Sequence, residues 1–154
     1  AVTRLTRAAL PGMIERKHGA IMNVSSRLAF SGPVTSPSMP KRATYAATKA
    51  YINTFTQILS DELKDTGVIV QALCPGVVIT EFHRVQGIDP TRMPPEIIMK
   101  AEDLVDASMK GLKLGEVICI PSLDDQTLLQ QFENSQRQML MHSGTGAQAK
   151  RYSA

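Results

Sequence analysis

Residues Thr44–Gly76 read TYAATKAYINTFTQILSDELKDTGVIVQALCPG. Two patterns meet in this stretch. Ile52, Phe55, Leu59 and Leu63 recur at helical spacing and form one apolar stripe, so an amphipathic helix is expected from about Thr44 to Thr66. Asp61, Glu62, Lys64 and Asp65 crowd its last turns, and Gly67 offers a C-terminal stop. VIVQALC follows, an apolar run of strand length that ends at Pro75–Gly76 and reads as a buried strand. A helix leading straight into a buried strand belongs to an α/β architecture.

The pattern repeats outward. AIMNVSS, Ala20–Ser26, is a second short apolar strand, bounded by Gly19. Between it and the helix lies RLAFSGPVTSPSMPKRA, Arg27–Ala43, whose prolines and serines mark a loop. The opening AVTRLTRAALPGMIERKHG has Val2, Leu5, Ala9 and Met13 at helical spacing, interrupted by Pro11. It has no cap and no preceding turn, and is expected to be cut from something longer. Downstream, VVITEFHRVQGIDPTRMPPE reads as irregular, AEDLVDASMKGLKLG as a helix ending at Gly115, and EVICIPS as a third strand. LDDQTLLQQFENSQRQMLMH reads as a terminal helix. The expected order is helix, strand, loop, helix, strand, loop, helix, strand, helix, with about three parallel strands. Residues 1–142 are expected to form part of a single domain and 143–154 a flexible tail. Ligands of such sheets lie beyond the carboxyl ends of the strands, here SSRLAFSGP, CPGVVITEF and PSLDD.

The composition narrows the function classes. Hydrophobic residues make up 43% and charged residues 20%, which suits a folded, water-facing domain. The net charge of +3 is scattered rather than clustered, and aromatics are 5% with no Trp, so the charge reads as a solvated face and not a nucleic-acid surface. Cys74 and Cys119 end apolar runs, with no ligand cluster around them, so no metal site is expected. Two buried thiols fit a reducing cytoplasm. No apolar run reaches membrane-spanning length.

Tyr45 and Lys49 are four residues apart and share a helix face. An ammonium near a phenol stabilises tyrosinate, which makes the pair a workable acid/base unit for a carbonyl or alcohol oxygen. By spacing alone the pair also reads as an ordinary surface contact. Ser25 and Ser26 stand at the carboxyl end of the first strand, where a hydroxyl could hold a substrate oxygen or simply belong to the turn. Gly76 allows close backbone approach, and Val77, Val78 and Thr80 follow it, although a plain strand-to-loop turn would use the same residues.

GAIMNVSS, then YAATK, then VIVQALCPGVVITEF, in that order, resembles the short-chain dehydrogenase/reductase family. The resemblance runs from Ala1 to about Ile120 and is most specific through Phe82. It implies the C-terminal part of a doubly wound, Rossmann-like parallel sheet in an oxidoreductase using NAD or NADP. Ser26 would hold and polarise the substrate oxygen, with Ser25, Ser31, Ser36 and Ser38 as rivals. Tyr45 would be the general acid in reduction and base in oxidation, and Lys49 would bond the nicotinamide ribose. Pro75, Gly76, Val77, Val78 and Thr80 would contact the nicotinamide. Phe82, His83, Val85, Ile88 and Met93 would form the substrate loop, whose apolar character suggests a small apolar carbonyl or alcohol substrate.

Two departures from the family pattern stand out. Ser26 and Tyr45 are further apart than is usual in the family, so GPVTSPSMPK is expected to carry an insertion. The family's Gly-rich turn for the cofactor pyrophosphate has no counterpart here, and GTG at Gly144–Gly146 lies in the tail. The chain alone is therefore expected to be inactive, and to form a homo-oligomer through its first two helices, which resemble the family's dimer-forming pair. The alternative reading is a truncated, non-catalytic module that self-associates through those helices.

Overall fold

The computed structural model describes residues 1–34, 41–80, 89 and 93–152. It divides into two compact units, Ala1–Ser122 and Leu123–Ala154. In the first unit α1 (Val2–Glu15) leads to β1 (Gly19–Val24), and a 3₁₀ turn at Arg27–Phe30 precedes α2 (Ala43–Glu62). Then come β2 (Val68–Leu73), β3 (Val77–Val78), a 3₁₀ turn at Pro95–Ile97, β4 (Ile98–Met99), α3 (Ala101–Leu114) and β5 (Ile118–Cys119). The second unit holds α4 (Thr127–Ser143) and a 3₁₀ turn at Lys150–Tyr152.

β1, β2 and β5 form one parallel sheet in that order. Gly19 pairs with Val68 and Val24 with Leu73, so the two long strands end together. The expected α/β architecture with three parallel strands is what the chain adopts. Alternation along the strands sends Ile21, Val68 and Val70 to one face, where the stripe of α2 covers them. Leu59, Leu63, Val68 and Val70 form the buried cluster, with Leu10, Met13, Ile21 and Phe55 packed against it. Each fully buried aliphatic side chain there contributes about 1.5–3 kcal/mol relative to exposure.

The seam between α2 and the sheet changes character along its length. Toward the carboxyl ends of the strands the apolar contacts give way to Asn23 Nδ2 donating to Thr56 Oγ1 at 3.1 Å and Cys74 Sγ donating to Asn53 Oδ1 at 3.3 Å. All four of these residues are buried, so each bond removes an unsatisfied polar group that would cost about 1–3 kcal/mol. The opposite face carries α3. Ser108 Oγ donates to Gln71 Oε1 at 2.5 Å, and Gln71 Nε2 donates to the Glu116 carbonyl at 3.2 Å. On that face Met22, Val24 and Ile69 remain exposed, and among the described residues β1 is an edge strand.

Four elements differ from the sequence expectation. α1 runs unbroken through Pro11, and the carbonyl that its missing N–H cannot bond belongs to Arg7, an exposed residue. The stretch after Gly76 read as irregular, yet β3 and β4 pair in parallel, Val77 with Ile98 and Val78 with Met99. Two-residue strands carry no periodicity to detect. β5 is likewise only Ile118–Cys119, shorter than EVICIPS suggested. Among the described residues no helix is long and apolar enough to cross a membrane.

Candidate active site at the carboxyl ends of the strands

The polar end of the seam is where the candidate residues gather. Ser25 N donates to the Leu73 carbonyl at 2.7 Å and Arg27 N to the Pro75 carbonyl at 3.0 Å, which laces the turn after β1 to the end of β2. α2 crosses over this turn, and two reciprocal bonds fix it there. Ser25 Oγ donates to the Lys49 carbonyl at 3.0 Å, and Lys49 Nζ donates to the Val24 carbonyl at 2.9 Å. The ammonium lies 5.6 Å from the centre of the Tyr45 ring, one helical turn back. Partial burial pulls the Lys49 ammonium below the usual lysine range, opposed by the nearby Cys74 thiol.

Tyr45 is 38% exposed, so its phenol is open to a ligand, while Ser25 and Ser26 are buried. Ser26 Oγ accepts from Leu28 N at 3.2 Å and so caps the 3₁₀ turn. Its hydroxyl hydrogen is not used in that bond. Beneath the serines, burial pushes the Cys74 thiol up to about 11. Burial, and then the charge of Glu116, push Cys119 up to about 12. Both thiols are free and buried.

Pro75, Gly76, Val77 and Val78 are half-buried just past β2, and Thr80 is exposed. Gly76 and Val77 line a cavity of about 510 Å³ together with Arg27, Met99, Lys100 and Ser122. A Cβ on Gly76 would meet only the Arg27 side chain, at 3.7 Å, so the backbone there is open to a flat ligand. Lys49 uses one of its three ammonium hydrogens on Val24, leaving donors for a ribose hydroxyl. These residues fit the nicotinamide half of a dinucleotide. Among the described residues no Gly-rich turn opens a helix for a pyrophosphate.

Met93 is half-buried. Phe82, His83, Val85 and Ile88 lie outside the described residues, as do Ser36 and Ser38. Sequence reasoning missed Ser25 as the partner of Lys49 and the Val24 carbonyl as its anchor. A backbone oxygen has no signature in a sequence, so only the fold reveals it. Among the described residues no group of three or more His, Cys, Asp or Glu could hold a metal ion.

The family model for short chain dehydrogenases matches residues 1–89. The very-long-chain 3-oxoacyl-CoA reductase of Bos taurus is 39% identical over 101 residues, which is 66% of this chain and 30% of that protein. An uncharacterized oxidoreductase of Myxococcus xanthus is 34% identical over 109 residues, 71% of this chain and 39% of that protein. The chain thus spans well under half the length of these relatives. Among solved structures, a short-chain dehydrogenase from Sphingobium yanoikuyae in complex with NADPH superposes with a TM-score of 0.85 at 30% identity, covering 97% of this chain and 56% of that one. The bulky-bulky ketone specific alcohol dehydrogenase from Comamonas testosteroni gives a TM-score of 0.78 at 26% identity, covering 97% of this chain and 53% of that one. With the family model matching more than half of its residues and this fold around it, the chain belongs to the short-chain dehydrogenase/reductase family.

Proposed function

We propose that this chain is the catalytic C-terminal part of an NAD(P)-dependent oxidoreductase that interconverts a carbonyl and a secondary alcohol with Ser26, Tyr45 and Lys49. The observation that carries the reading is the double tie between Lys49 and the end of β1, which holds an ammonium beside an accessible tyrosine at the place where α/β sheets bind ligands. The bound nucleotide would supply or accept the hydride. NADP is favoured over NAD, because structural neighbours hold NADPH and NADP.

The protein's part is positional and protonic. In reduction, the Ser26 hydroxyl donates to the substrate carbonyl and polarises it. Tyr45 then delivers its proton to the same oxygen as negative charge develops there. The Lys49 ammonium favours the resulting tyrosinate and keeps donors for the cofactor ribose. In oxidation the steps reverse, and Tyr45 takes the proton. Pro75 to Val78 and Thr80 would seat the nicotinamide, and Met93 with Phe82, His83, Val85 and Ile88 would meet an apolar substrate. A 3-oxoacyl-CoA reductase and a bulky-bulky ketone specific alcohol dehydrogenase among the similar proteins support a carbonyl or alcohol substrate. We further infer a homo-oligomer built through α1 and α2, where Leu5, Tyr51 and Ile58 are exposed. Two buried free thiols suit a cytoplasmic setting.

The test is Tyr45→Phe in the complete protein, with NADPH and either a 3-oxoacyl-CoA thioester or a diaryl ketone. Removal of the phenol oxygen should lower turnover by roughly 10²–10⁴-fold, the usual contribution of a general acid, while the circular dichroism spectrum stays unchanged. Near-normal turnover in the Phe variant would overturn the role.

A further inference from the structure

We propose that Arg42 is a positioning residue, which brackets the Ser26 turn against the helix that carries Tyr45. This rests on the reading of Ser26 and Tyr45 just given. Arg42 sits at the N-cap of α2, and its carbonyl accepts from Ala46 N at 2.8 Å. Its side chain makes no capping bond to its own helix. It reaches across to the turn after β1 instead. Nε donates to Ser31 Oγ at 3.2 Å, and Nη2 donates to the Val34 carbonyl at 2.5 Å.

The chain of bonds continues to the catalytic serine. Ser31, which is buried, donates from Oγ to the Leu28 carbonyl at 2.8 Å. Leu28 N in turn donates to Ser26 Oγ at 3.2 Å. Ser26 is therefore held from both sides by one helix. Upstream, Ser25 is tied to Lys49; downstream, Ser31 and Val34 are tied to Arg42. The separation of the serine and the tyrosine is then set by these ties and not by the number of residues between Val34 and Lys41. That explains how a proline-bearing stretch longer than is usual in the family is compatible with the site. The residue type matters as well. A guanidinium presents several donors in a planar fork and serves a hydroxyl and a carbonyl at once, whereas an ammonium is a single point on a flexible stem.

The experiment uses the complete protein and two readouts. In hydrogen–deuterium exchange, Arg42→Met should speed exchange of the amides of Leu28, Ala29 and Ser31 about tenfold, with β1 and β2 unchanged, since only a local opening is made easier. In steady-state assays with NADPH and a diaryl ketone, kcat should fall about tenfold while KM for NADPH stays within about twofold, because misplacement of a reacting group is felt in the chemical step. Arg42→Lys should recover part of the loss, and Ser31→Ala should give the same pattern at smaller size. Unchanged exchange across residues 27–34, or an equal increase in β2, overturns the proposal whatever turnover does. Loss of turnover in Tyr45→Phe together with full turnover in Arg42→Met also overturns it and leaves the site reading standing. Full turnover in Tyr45→Phe removes the site reading, and the exchange result then judges the bracket by itself.

Discussion

The hydroxyls of Ser25 and Ser26 have separate tasks although the residues are adjacent and identical. Ser25 spends its hydrogen on the Lys49 carbonyl, a part-buried structural bond. Ser26 accepts from Leu28 N with its oxygen, a bond that leaves its hydrogen unused. Ser25→Ala is therefore expected to cost about 1 kcal/mol of stability, the net worth of one hydrogen bond, with a modest effect on kcat. Ser26→Ala should lower kcat by roughly 10²-fold, as loss of one oxyanion-type donor does, with a smaller change in melting temperature. Equal losses of activity in the two variants would show that the assignment of the second serine is wrong. At this scale the sequence was informative about residue types and silent about partners. YAATK and NVSS carried the resemblance, whereas the carbonyls of Val24 and Lys49 and the reach of Arg42 depend on where a strand end and a helix meet.

The elements were legible where periodicity was long. α2 shows its stripe of Ile52, Phe55, Leu59 and Leu63 plainly, and that stripe is the face it buries or packs on the sheet. β3, β4 and β5 are two residues each and are held by pairing, not by pattern. Turns at element ends have different tolerances. Gly67, just before β2, has φ +76°, and a Cβ there would lie 2.1 Å from the Lys17 carbonyl oxygen. Gly115 ends α3 with φ +77° and open space around it. Gly115→Ala should cost only the left-handed backbone penalty of about 1–2 kcal/mol. Gly67→Ala adds a clash with main chain that cannot rotate away, so its denaturation midpoint should fall at least twice as far. A smaller loss at Gly67 in urea titration would mean that the close contact with Lys17 gives way easily.

At the scale of the molecule, two groups of exposed apolar side chains in the first unit stand out among the described residues. One is on the face of β1 and β2 that bears Met22, Val24 and Ile69; the other is on the outer side of α1 and α2 with Leu5, Tyr51 and Ile58. An edge strand next to such side chains favours association with another chain. The 154 residues expressed alone are expected to elute and scatter light as dimers or larger species, and to bind NADPH too weakly to detect by calorimetry at micromolar concentration. The second expectation follows because the proposed contacts reach only the nicotinamide half of a dinucleotide. A monodisperse monomer that binds NADPH in the micromolar range would overturn both. Family and fold were readable in the sequence because three stretches fall in a fixed order on matching elements. Which apolar side chains stay exposed was not, because exposure is a property of the assembled sheet.

The pairing of Val77–Val78 with Ile98–Met99 also has a bearing on how such an enzyme diversifies. The two short strands act as a clasp on the segment between them, so the clasped ends keep their separation whatever residues join them. Closing a flexible segment costs entropy that grows only with the logarithm of its length, about 0.6 kcal/mol for each doubling. Insertions, deletions and wholesale exchange of that segment are therefore thermodynamically cheap for the sheet and for the Ser26 turn. Under the proposed function, substrate range would be free to drift there while Ser26, Tyr45 and Lys49, fastened at the end of β1 and on α2, keep their places.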